Sequence, residues 1–437
     1  MYRTTTGKTR MLLGGLAATT AMALVGSGLG VAGTASASTP DAPKDPNATP
    51  FAMKGWGFGT RVQGGQVPVD SGASAHQIVA CTNKVGKDRT NEVADVVLPS
   101  LGTVSGVKTQ VRTVRDGATV GVVSTNTIGK ITLSDSPLGT LVLNAVSTTA
   151  YAYNDGNAFG ATTDTDLAKL QFLPPIGPPL NLDLPSPGQP VEIPGFAKVT
   201  FAHSWKPRTD NGARAFANGL KVRLLATNTT VRVAHAAAVI GADVRHGIFT
   251  GESYALGGSA LANVVQLGKN ALLEMPCSGT AGVTKTRGLA GVDLAGQIVV
   301  GAARSDQMAD QDARKAWGYE RSEVASVNLG NGALVIDGIV GQVNVTRTGP
   351  QPKDLARDAT GTSVGSITVN GQAQELPLDQ PIEIPGLAKI EPKVVTKVPN
   401  GLKVTALRIT LLDGTGAVLE LGNARLQVRK VPEPTVG

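Results

Sequence analysis

Short runs in which apolar and polar side chains alternate are the first feature of this chain. Residues 107–114 largely alternate in this way, and a period of two is typical of a half-buried β-strand. Short β-branched runs follow at 120–125, 129–133 and 140–146, each bounded by Gly, Asp, Ser or Pro. This spacing predicts an all-β fold in which turns separate short strands, as in a meander, a sandwich or a stack of sheets.

One segment departs from the β pattern. Residues 305–317, from Ser305 to Trp317, are the single helical candidate. They lack a clean apolar stripe, so a polar loop with a short turn of helix is an equal alternative.

Two ordered blocks of the sequence occur twice. Pro190-Val-Glu-Ile-Pro-Gly-Phe-Ala-Lys198 returns as Pro381-Ile-Glu-Ile-Pro-Gly-Leu-Ala-Lys389, an offset of 381 − 190 = 191. Asn218-Gly-Leu-Lys-Val222 returns as Asn400-Gly-Leu-Lys-Val404, an offset of 400 − 218 = 182. The blocks indicate an internal duplication. We therefore expect two homologous β-sandwich-like domains, 51–247 and 248–430, packed together or exchanging strands.

The repeated blocks contain turn residues. Pro194-Gly195 suits the central positions of a type II turn, because Pro presets φ and Gly accepts a positive φ. Asn218-Gly219 favours a type I′ hairpin ahead of a strand at 220–225.

The N-terminus has the features of a targeting segment. Arg3, Lys8 and Arg10 precede an apolar run at 11–31, which ends near the small residues Ala35-Ser36-Ala37. This pattern predicts a signal peptide, 1–37, cleaved after Ala37, with an uncleaved membrane anchor as the alternative. A Pro-rich linker, 38–50, and a polar tail, 431–437, are predicted to flank the folded part. No apolar run of about 18 residues follows the signal peptide, so no transmembrane segment is expected after cleavage.

Composition and charge narrow the classes of partner. The 437 residues are 4% aromatic and 17% charged, with 54 Gly, which suits many strands joined by tight turns. The formal net charge is +7, and removing three basic residues with the signal peptide leaves +4. The basic residues are scattered and stacking aromatics are few, so nucleic acid is not an expected partner.

The two cysteines, Cys81 and Cys277, stand at equivalent places in the two copies. An even number of cysteines in a secreted chain suggests a disulfide, which forms if the copies meet across a pseudo-twofold axis. The alternative is two separate buried thiols that act as small apolar side chains.

No pattern of catalytic or metal-binding residues stands out. The histidines His76, His203, His235 and His246 are not at zinc-binding spacings, and His76 near Cys81 is the closest approach to a pair. Glu192 and Glu383 are equivalent by duplication, and a carboxylate pair is what a glycoside hydrolase needs. Nucleophile and phosphate-binding motifs are missing from the sequence. We predict no metal, no cofactor and no enzymatic activity.

The tryptophans are the candidates for contact with a glycan. Trp56, Trp205 and Trp317 lie in Gly- or Lys-containing, loop-like contexts. Exposed rings there would contact a sugar, whereas rings that cap the core at a sheet edge are the structural alternative.

Several segments of the second copy form a recognisable set: Met275-Pro-Cys-Ser-Gly-Thr280, residues 322–329, 366–372 and 382–387, and Gly401-Leu-Lys-Val-Thr-Ala-Leu-Arg-Ile-Thr410. Through these segments the second copy resembles the actinobacterial choice-of-anchor P family of secreted surface proteins, and the first copy does so more weakly. The resemblance implies an exported, β-rich protein of the envelope or extracellular space, and it supplies no catalytic residues. The C-terminal anchor of some members is not visible in this sequence.

These observations favour a secreted, non-catalytic β-rich protein with a structural or adhesive role, extracellular or loosely associated with the cell wall. A carbohydrate- or cell-wall-binding module is the alternative, and a glycoside hydrolase is the third hypothesis. The partners expected are cell-wall polysaccharide or other surface proteins.

Overall fold

The computed structural model describes residues 45–431, apart from 65–68, 71–72, 99–101, 136–138, 184–185, 227, 261–264, 295–297, 376–379, 413 and 415. The predicted signal peptide, most of the predicted linker and nearly all of the predicted polar tail lie outside the described residues. The expectation of an all-β chain is confirmed, since a single 3₁₀ turn at Pro352–Asp354 is the only helical element in the described ranges.

The first copy contributes fourteen strands to the described structure. They are β1 (Ala48–Gly64), β2 (Val69–Asp70), β3 (Gln77–Lys84), β4 (Asp88–Leu98), β5 (Gly102–Asp116), β6 (Thr119–Asp135), β7 (Gly139–Asn154), β8 (Phe159–Leu173), β9 (Leu180–Asn181), β10 (Pro190–Ile193), β11 (Ala197–Trp205), β12 (Arg208–Thr209), β13 (Gly212–Leu224) and β14 (Thr229–Gly241).

The second copy repeats this order with more interruptions. Its strands are β15 (Gly247–Ala260), β16 (Val265–Asn270), β17 (Leu273–Glu274), β18 (Lys285–Leu289), β19 (Val292–Leu294), β20 (Ile298–Val300), β21 (Ala303–Gln311), β22 (Ala316–Leu329), β23 (Leu334–Arg347), β24 (Leu355–Asp358), β25 (Ile367–Val369), β26 (Gln372–Gln374), β27 (Ile382–Ile384), β28 (Ala388–Val398), β29 (Gly401–Leu411) and β30 (Val418–Lys430).

Within the described residues, these strands form three antiparallel sheets. One sheet is shared by both copies and runs β10-β11-β13-β14-β1-β2-β16-β15-β30-β29-β28-β27. A six-stranded sheet, β4 to β9, belongs to the first copy, and a nine-stranded sheet, β18 to β26, belongs to the second. From the centre of the shared sheet outward, the first copy contributes β2, β1, β14, β13, β11 and β10. In the other direction the second copy contributes the equivalent strands β16, β15, β30, β29, β28 and β27.

A pseudo-twofold axis passes between the copies at the centre of the shared sheet. The equivalent strands β2 and β16 pair there, with Asp70 opposite Gln266. These two residues are 266 − 70 = 196 positions apart, the same separation as that of Cys81 and Cys277. Cys81 and Cys277 form a disulfide with Cα atoms 5.4 Å apart. Equivalent residues meet at two points between the copies, as expected for a twofold arrangement.

Each copy buries its core between its half of the shared sheet and its own second sheet. In the first copy, Val107 and Leu143 of the six-stranded sheet belong to the same buried cluster as Leu220 and Val233 of the shared sheet. The second copy builds the corresponding layer from residues such as Ile336 and Leu407. The result is two sandwich-like layers that share one continuous sheet. The domain boundary between residues 247 and 248 stays a prediction.

Two strands of the six-stranded sheet, β5 and β7, contain a kink at which the order of inward and outward side chains shifts by one residue. The kinks lie at Gly106 and Ala145, whose φ angles are 63° and 49°, and the strand register is the same before and after them. As a result, Val104 and Val107, three positions apart, both face the core. A strict period of two therefore holds within each half-strand but not across this kink.

The two turns predicted in the repeated blocks of the first copy have different outcomes. Pro194-Gly195 forms the predicted type II turn, since Gly195 has φ 72° and the amide of Phe196 donates to the Ile193 carbonyl at 3.0 Å. The prediction of a hairpin at Asn218-Gly219 is wrong, because β13 continues through both residues.

The second repeated block does not align in space. Ala197 pairs with Leu224, and its equivalent Ala388 pairs with Leu411, so the local offset is 411 − 224 = 187 rather than 182. Asn400, with φ 59°, instead lies in the tight turn between β28 and β29. The same five letters therefore lie inside a strand in one copy, whereas in the other they begin in a turn at Asn400 and enter β29 at Gly401.

Two further expectations are corrected. The helical candidate at 305–317 forms most of β21 and the start of β22, because alternate side chains such as Ser305 and Gln307 face the buried side. β1 begins at Ala48, inside the predicted linker, and both Ala48 and Thr49 are buried.

Candidate aromatic strip and inter-copy cleft

Aromatic side chains line up on the outer face of the shared sheet in the first copy. Trp205 on β11 stacks on Phe216 of β13 with ring centroids 5.4 Å apart, and Phe216 meets the edge of Trp56 on β1 at 5.6 Å. Trp56 reaches Phe216 across β14, where the buried residue between them is the small Ala237. We call Trp205, Phe216 and Trp56 the aromatic strip. It spans three strand spacings, or about 14 Å.

Local sequence explains why these rings face outward. Residues 55–59 are Gly-Trp-Gly-Phe-Gly, and the glycines point toward the six-stranded sheet. A Cβ at Gly55 would lie 2.6 Å from Val111, and one at Gly57 would lie 2.9 Å from Thr109. The facing sheet approaches too closely for any side chain here, so the bulky rings of Trp56 and Phe58 occupy the opposite face.

A neutral histidine, His235, packs on Phe58 next to the aromatic strip. His235 stacks on Phe58 with centroids 4.5 Å apart, and its Nδ1 donates to Asn218 Oδ1 at 3.0 Å. Burial, aided by the positive charges of Arg232 and Arg61, lowers the pKa of His235 to about 3. The imidazole is therefore uncharged at neutral pH and presents its other nitrogen as an acceptor.

The strip ends at a cleft of about 960 Å³ between the two copies. Its first-copy wall includes Trp56, Phe58, Arg61 and His76. The second-copy wall includes Glu252, Lys269, Glu274 and Arg287 beside the apolar Leu272 and Leu289. The cleft thus places aromatic rings opposite a wall of mixed charged and apolar side chains.

Two ion pairs organise the charged wall of the cleft. Lys54 Nζ lies 2.9 Å from Glu274 Oε2 and joins the copies, while Lys269 Nζ lies 2.6 Å from Glu252 Oε1. The same lysines lie over aromatic rings, since Lys54 is 4.9 Å from the Trp56 centroid and Lys269 is 4.9 Å from that of Tyr254. These contacts hold long, flexible side chains in fixed positions around the opening.

The second copy does not repeat the aromatic strip. Strand pairing places Glu252 at the position of Trp56, Lys403 at that of Phe216 and Thr396 at that of Trp205. The duplication therefore keeps the sheet but not the aromatic surface, which belongs to the first copy.

The predicted tryptophans divide between two surfaces. All three lie in or at the end of strands rather than in the loops expected from sequence. Trp56 and Trp205 share the aromatic strip, and Trp205 is 56% exposed. Trp317 lies on the nine-stranded sheet, where Lys315 Nζ is 4.3 Å from its ring centroid.

The predicted carboxylate pair does not converge. Glu192 is on β10 and Glu383 is on β27, the two ends of the shared sheet and eleven strand steps apart. At about 4.8 Å per step, they are separated by on the order of 50 Å along the sheet. These two residues cannot act on one glycosidic bond.

The histidines also lie apart from metal-binding groups. Cys81 is bonded to Cys277, so it forms no pair with His76, which lies in the cleft. His203 adjoins Asn218 near the aromatic strip, and His246 Nδ1 lies 3.2 Å from the Ala313 carbonyl. Across the described residues, no cluster of three His, Cys, Asp or Glu side chains could hold a metal ion.

Comparisons with known proteins identify no relative. No family model, curated protein or solved structure matches this chain. In the part of the chain that the structure describes, no helix is long and apolar enough to cross a membrane.

Phe216, Phe58 and His235 are site residues that the sequence did not single out as such. The alternation Gly-Trp-Gly-Phe-Gly at 55–59 was an available signal, because glycine on one face of a strand indicates close packing there. Phe216 and His235 join the site through strand register, which the sequence alone does not reveal.

Proposed function

We propose that this chain is a secreted, non-catalytic protein that binds a cell-wall polysaccharide on the aromatic strip and in the inter-copy cleft. An adhesive role at the cell surface follows from such binding. The resemblance to the choice-of-anchor P family, carried by the motifs quoted above, is consistent with export and with a surface location.

The aromatic strip carries the proposal. Sugar rings have apolar faces and polar edges, so they pack on flat aromatic rings while neighbouring polar groups contact their hydroxyls. Trp205 offers such a face to solvent, and His235, Asn218 and Lys54 lie beside the strip. An exposed aromatic surface is unfavourable in water, which supports a binding role.

The disulfide and the cleft add support. A bond between Cys81 and Cys277 fits an oxidising, extracellular environment. This bond and the Lys54–Glu274 pair both join the copies, so one covalent bond and one ion pair connect the two sides of the cleft. A site that is formed before binding loses less entropy when the ligand arrives.

Binding of purified wall polysaccharide to the full secreted chain tests the proposal. Trp205→Ala should weaken binding by about two- to tenfold, the range expected for one aromatic contact. Trp317→Ala, on the nine-stranded sheet, is the matched control and should bind like the wild type. Equal affinities for the two variants would contradict a role for the strip, and a wild type that binds no wall polysaccharide would reject the function.

Fractionation of the producing cells gives an independent test. We expect the protein on the washed wall, with release by salt or free glycan. Recovery only from the culture supernatant, without glycan affinity, would leave a free extracellular structural protein.

A further inference from the structure

The longer repeated block of the sequence lies at both ends of the shared sheet. The first occurrence, residues 190–195, contains β10, and the second, residues 381–386, contains β27. These are the two terminal strands of the twelve-strand path. Among the described strands, β10 pairs only with β11 and β27 only with β28. The same block therefore stands at both edges of the described sheet.

The backbone of β10 presents alternate residues to this edge. The Phe201 carbonyl of β11 accepts a hydrogen bond from the amide of Gly188, just before β10, at 2.8 Å. Successive residues of a strand direct their N–H and C=O groups to opposite sides, so Thr200 is directed toward β13. Pro190, which stands opposite Thr200, therefore belongs to a pair that exchanges no hydrogen bonds, and its backbone faces the edge. Glu192, two residues further along β10, faces the same way.

The second copy repeats this arrangement. The turn after β10 is tied to the sheet by a hydrogen bond from the Leu225 amide to the Phe196 carbonyl, and the turn after β27 by one from the Leu412 amide to the Leu387 carbonyl, both at 3.0 Å. Because these contacts are equivalent, β27 alternates as β10 does. The backbone of Glu383 therefore faces the edge of the sheet.

The edge-facing positions have the order Pro-Glu-Pro in both copies. They are Pro190, Glu192 and the turn residue Pro194 in the first copy, and residues 381, 383 and 385 in the second. Proline has no N–H group, so it cannot donate to a strand that approaches the edge. Both glutamate side chains are exposed, and two such edges would bring like charges together. Short strands that carry proline and charge are how sheets avoid pairing at their edges.

The geometry of the sheet would otherwise permit growth without end. Eleven steps lead from β10 to β27, and every step is antiparallel. Because the number of steps is odd, the two terminal strands run in opposite directions. A second chain in the same orientation would place its β10 antiparallel beside β27 of the first, and the contact would repeat. Such a head-to-tail contact does not close and produces a filament.

We infer that the Pro-x-Glu-x-Pro block terminates the shared sheet and prevents this chain from polymerising edge to edge with further copies of itself. The block acts independently of the proposed polysaccharide binding. The turn itself needs only Pro194-Gly195 and its equivalent. Protection of the edge accounts for the proline and the glutamate that precede the turn in both copies.

An open-edge variant tests this role. Pro190→Thr/Glu192→Thr/Pro381→Thr/Glu383→Thr restores an N–H donor and removes a charge at each end of the sheet. Sedimentation velocity of the full secreted chain over a concentration series gives the mass of the species present. We expect the open-edge variant to associate at least about tenfold more tightly than the wild type, as suits two recovered backbone hydrogen bonds per contact.

Matched variants show whether the effect belongs to the edges. Pro178→Thr/Pro350→Thr replaces two exposed prolines outside the strands and should sediment like the wild type. Pro190→Thr/Glu192→Thr opens β10 alone and should stop at dimers, because a filament uses both ends. Thermal unfolding near the wild-type temperature shows that association does not come from misfolding. If the open-edge variant does not fold, Pro190→Thr/Pro381→Thr, which keeps both glutamates, provides the same comparison.

The outcomes are distinct. Association of the folded open-edge variant, but not of the loop-proline control, supports the role of the block. Equal masses for the wild type and the open-edge variant at every concentration would overturn it. Equal association of the loop-proline control, or filaments of the wild type itself, would overturn it as well.

Discussion

Cys81 and Cys277 occupy equivalent positions of the two copies and are bonded to each other, with Cα atoms 5.4 Å apart. The bond lies in a small apolar cluster with Ala52, Ile248 and Val431, which also draws on both copies. The duplicated halves are therefore joined covalently at their common centre, as well as through the shared sheet.

Removing this bond should lower the stability of the whole chain. The disulfide closes a loop of 196 residues, and chain-entropy arguments give about 5 kcal/mol for a loop of that length, as an upper value. We expect the Cys81→Ser/Cys277→Ser variant to unfold at a lower denaturant concentration. Wild type measured in reducing buffer is the control and should match the variant. Identical midpoints with and without the bond would show that the packed sheet alone determines stability.

Gly57 should tolerate no side chain. A Cβ there would lie 2.8 Å from the His235 carbonyl oxygen and 2.9 Å from Thr109 Cγ2. We expect Gly57→Ala to destabilise the protein by about 1–3 kcal/mol, because the two sheets would have to separate or shift. Gly268→Ala is the control, since a Cβ at Gly268 meets nothing within 4 Å. Equal unfolding free energies for the two variants would contradict the close approach of the sheets.

Glu320 should make the protein less stable as pH rises. It is fully buried, accepts a hydrogen bond from Ser253 Oγ at 2.8 Å, and burial raises its pKa well above the usual value. Because the folded pKa is higher than the unfolded one, the folded state holds this proton above about pH 4.3, and stability declines as pH rises toward the folded pKa. Glu320→Gln should therefore match the wild type near pH 4 and exceed it near pH 8. Unfolding across pH, with the exposed Glu192→Gln as control, measures the difference.

His235 should affect stability in the acidic range. Its pKa falls from 6.5 to about 3, chiefly through burial. The folded-state pKa is the lower one, so the stabilisation is complete above about pH 6.5 and is lost as pH falls toward 3. His235→Asn, which copies Asn423 of the second copy, should flatten this part of the stability profile. His203→Asn, at an exposed neighbouring position, should keep the wild-type slope.

The outer faces of the two copies differ although their cores agree. At equivalent positions the first copy has Trp56, Phe216 and Arg232, whereas the second copy has Glu252, Lys403 and Glu420. The core residues of both copies stay aliphatic, as Leu220 and Leu407 illustrate. The two copies therefore share the fold and an aliphatic core, while the outer face carries aromatic rings in the first copy and charged side chains at the corresponding places in the second.

Much of the architecture could be predicted from local patterns. Alternation at 107–114 indicated β5, the Pro194-Gly195 pair indicated a type II turn, and the block around Glu192 and Glu383 indicated a duplication. The first two depend on the backbone preferences of a few neighbouring residues, and the third depends on a direct match between two distant segments. The prediction of a hairpin at Asn218-Gly219 was wrong because strand pairing on both sides of β13 outweighs the turn preference of two residues.

The candidate site depended on the tertiary structure. The sequence by itself determined that the chain forms strands, that it is duplicated and that its two cysteines are equivalent. Only the folded sheet decided that Trp56, Phe216 and Trp205, distant in the chain, lie side by side. Register across β1, β14, β13 and β11 brings these rings together, and glycines on the inner face send Trp56 outward. Such long-range pairing reflects the packing of two whole sheets, which no short stretch of sequence encodes.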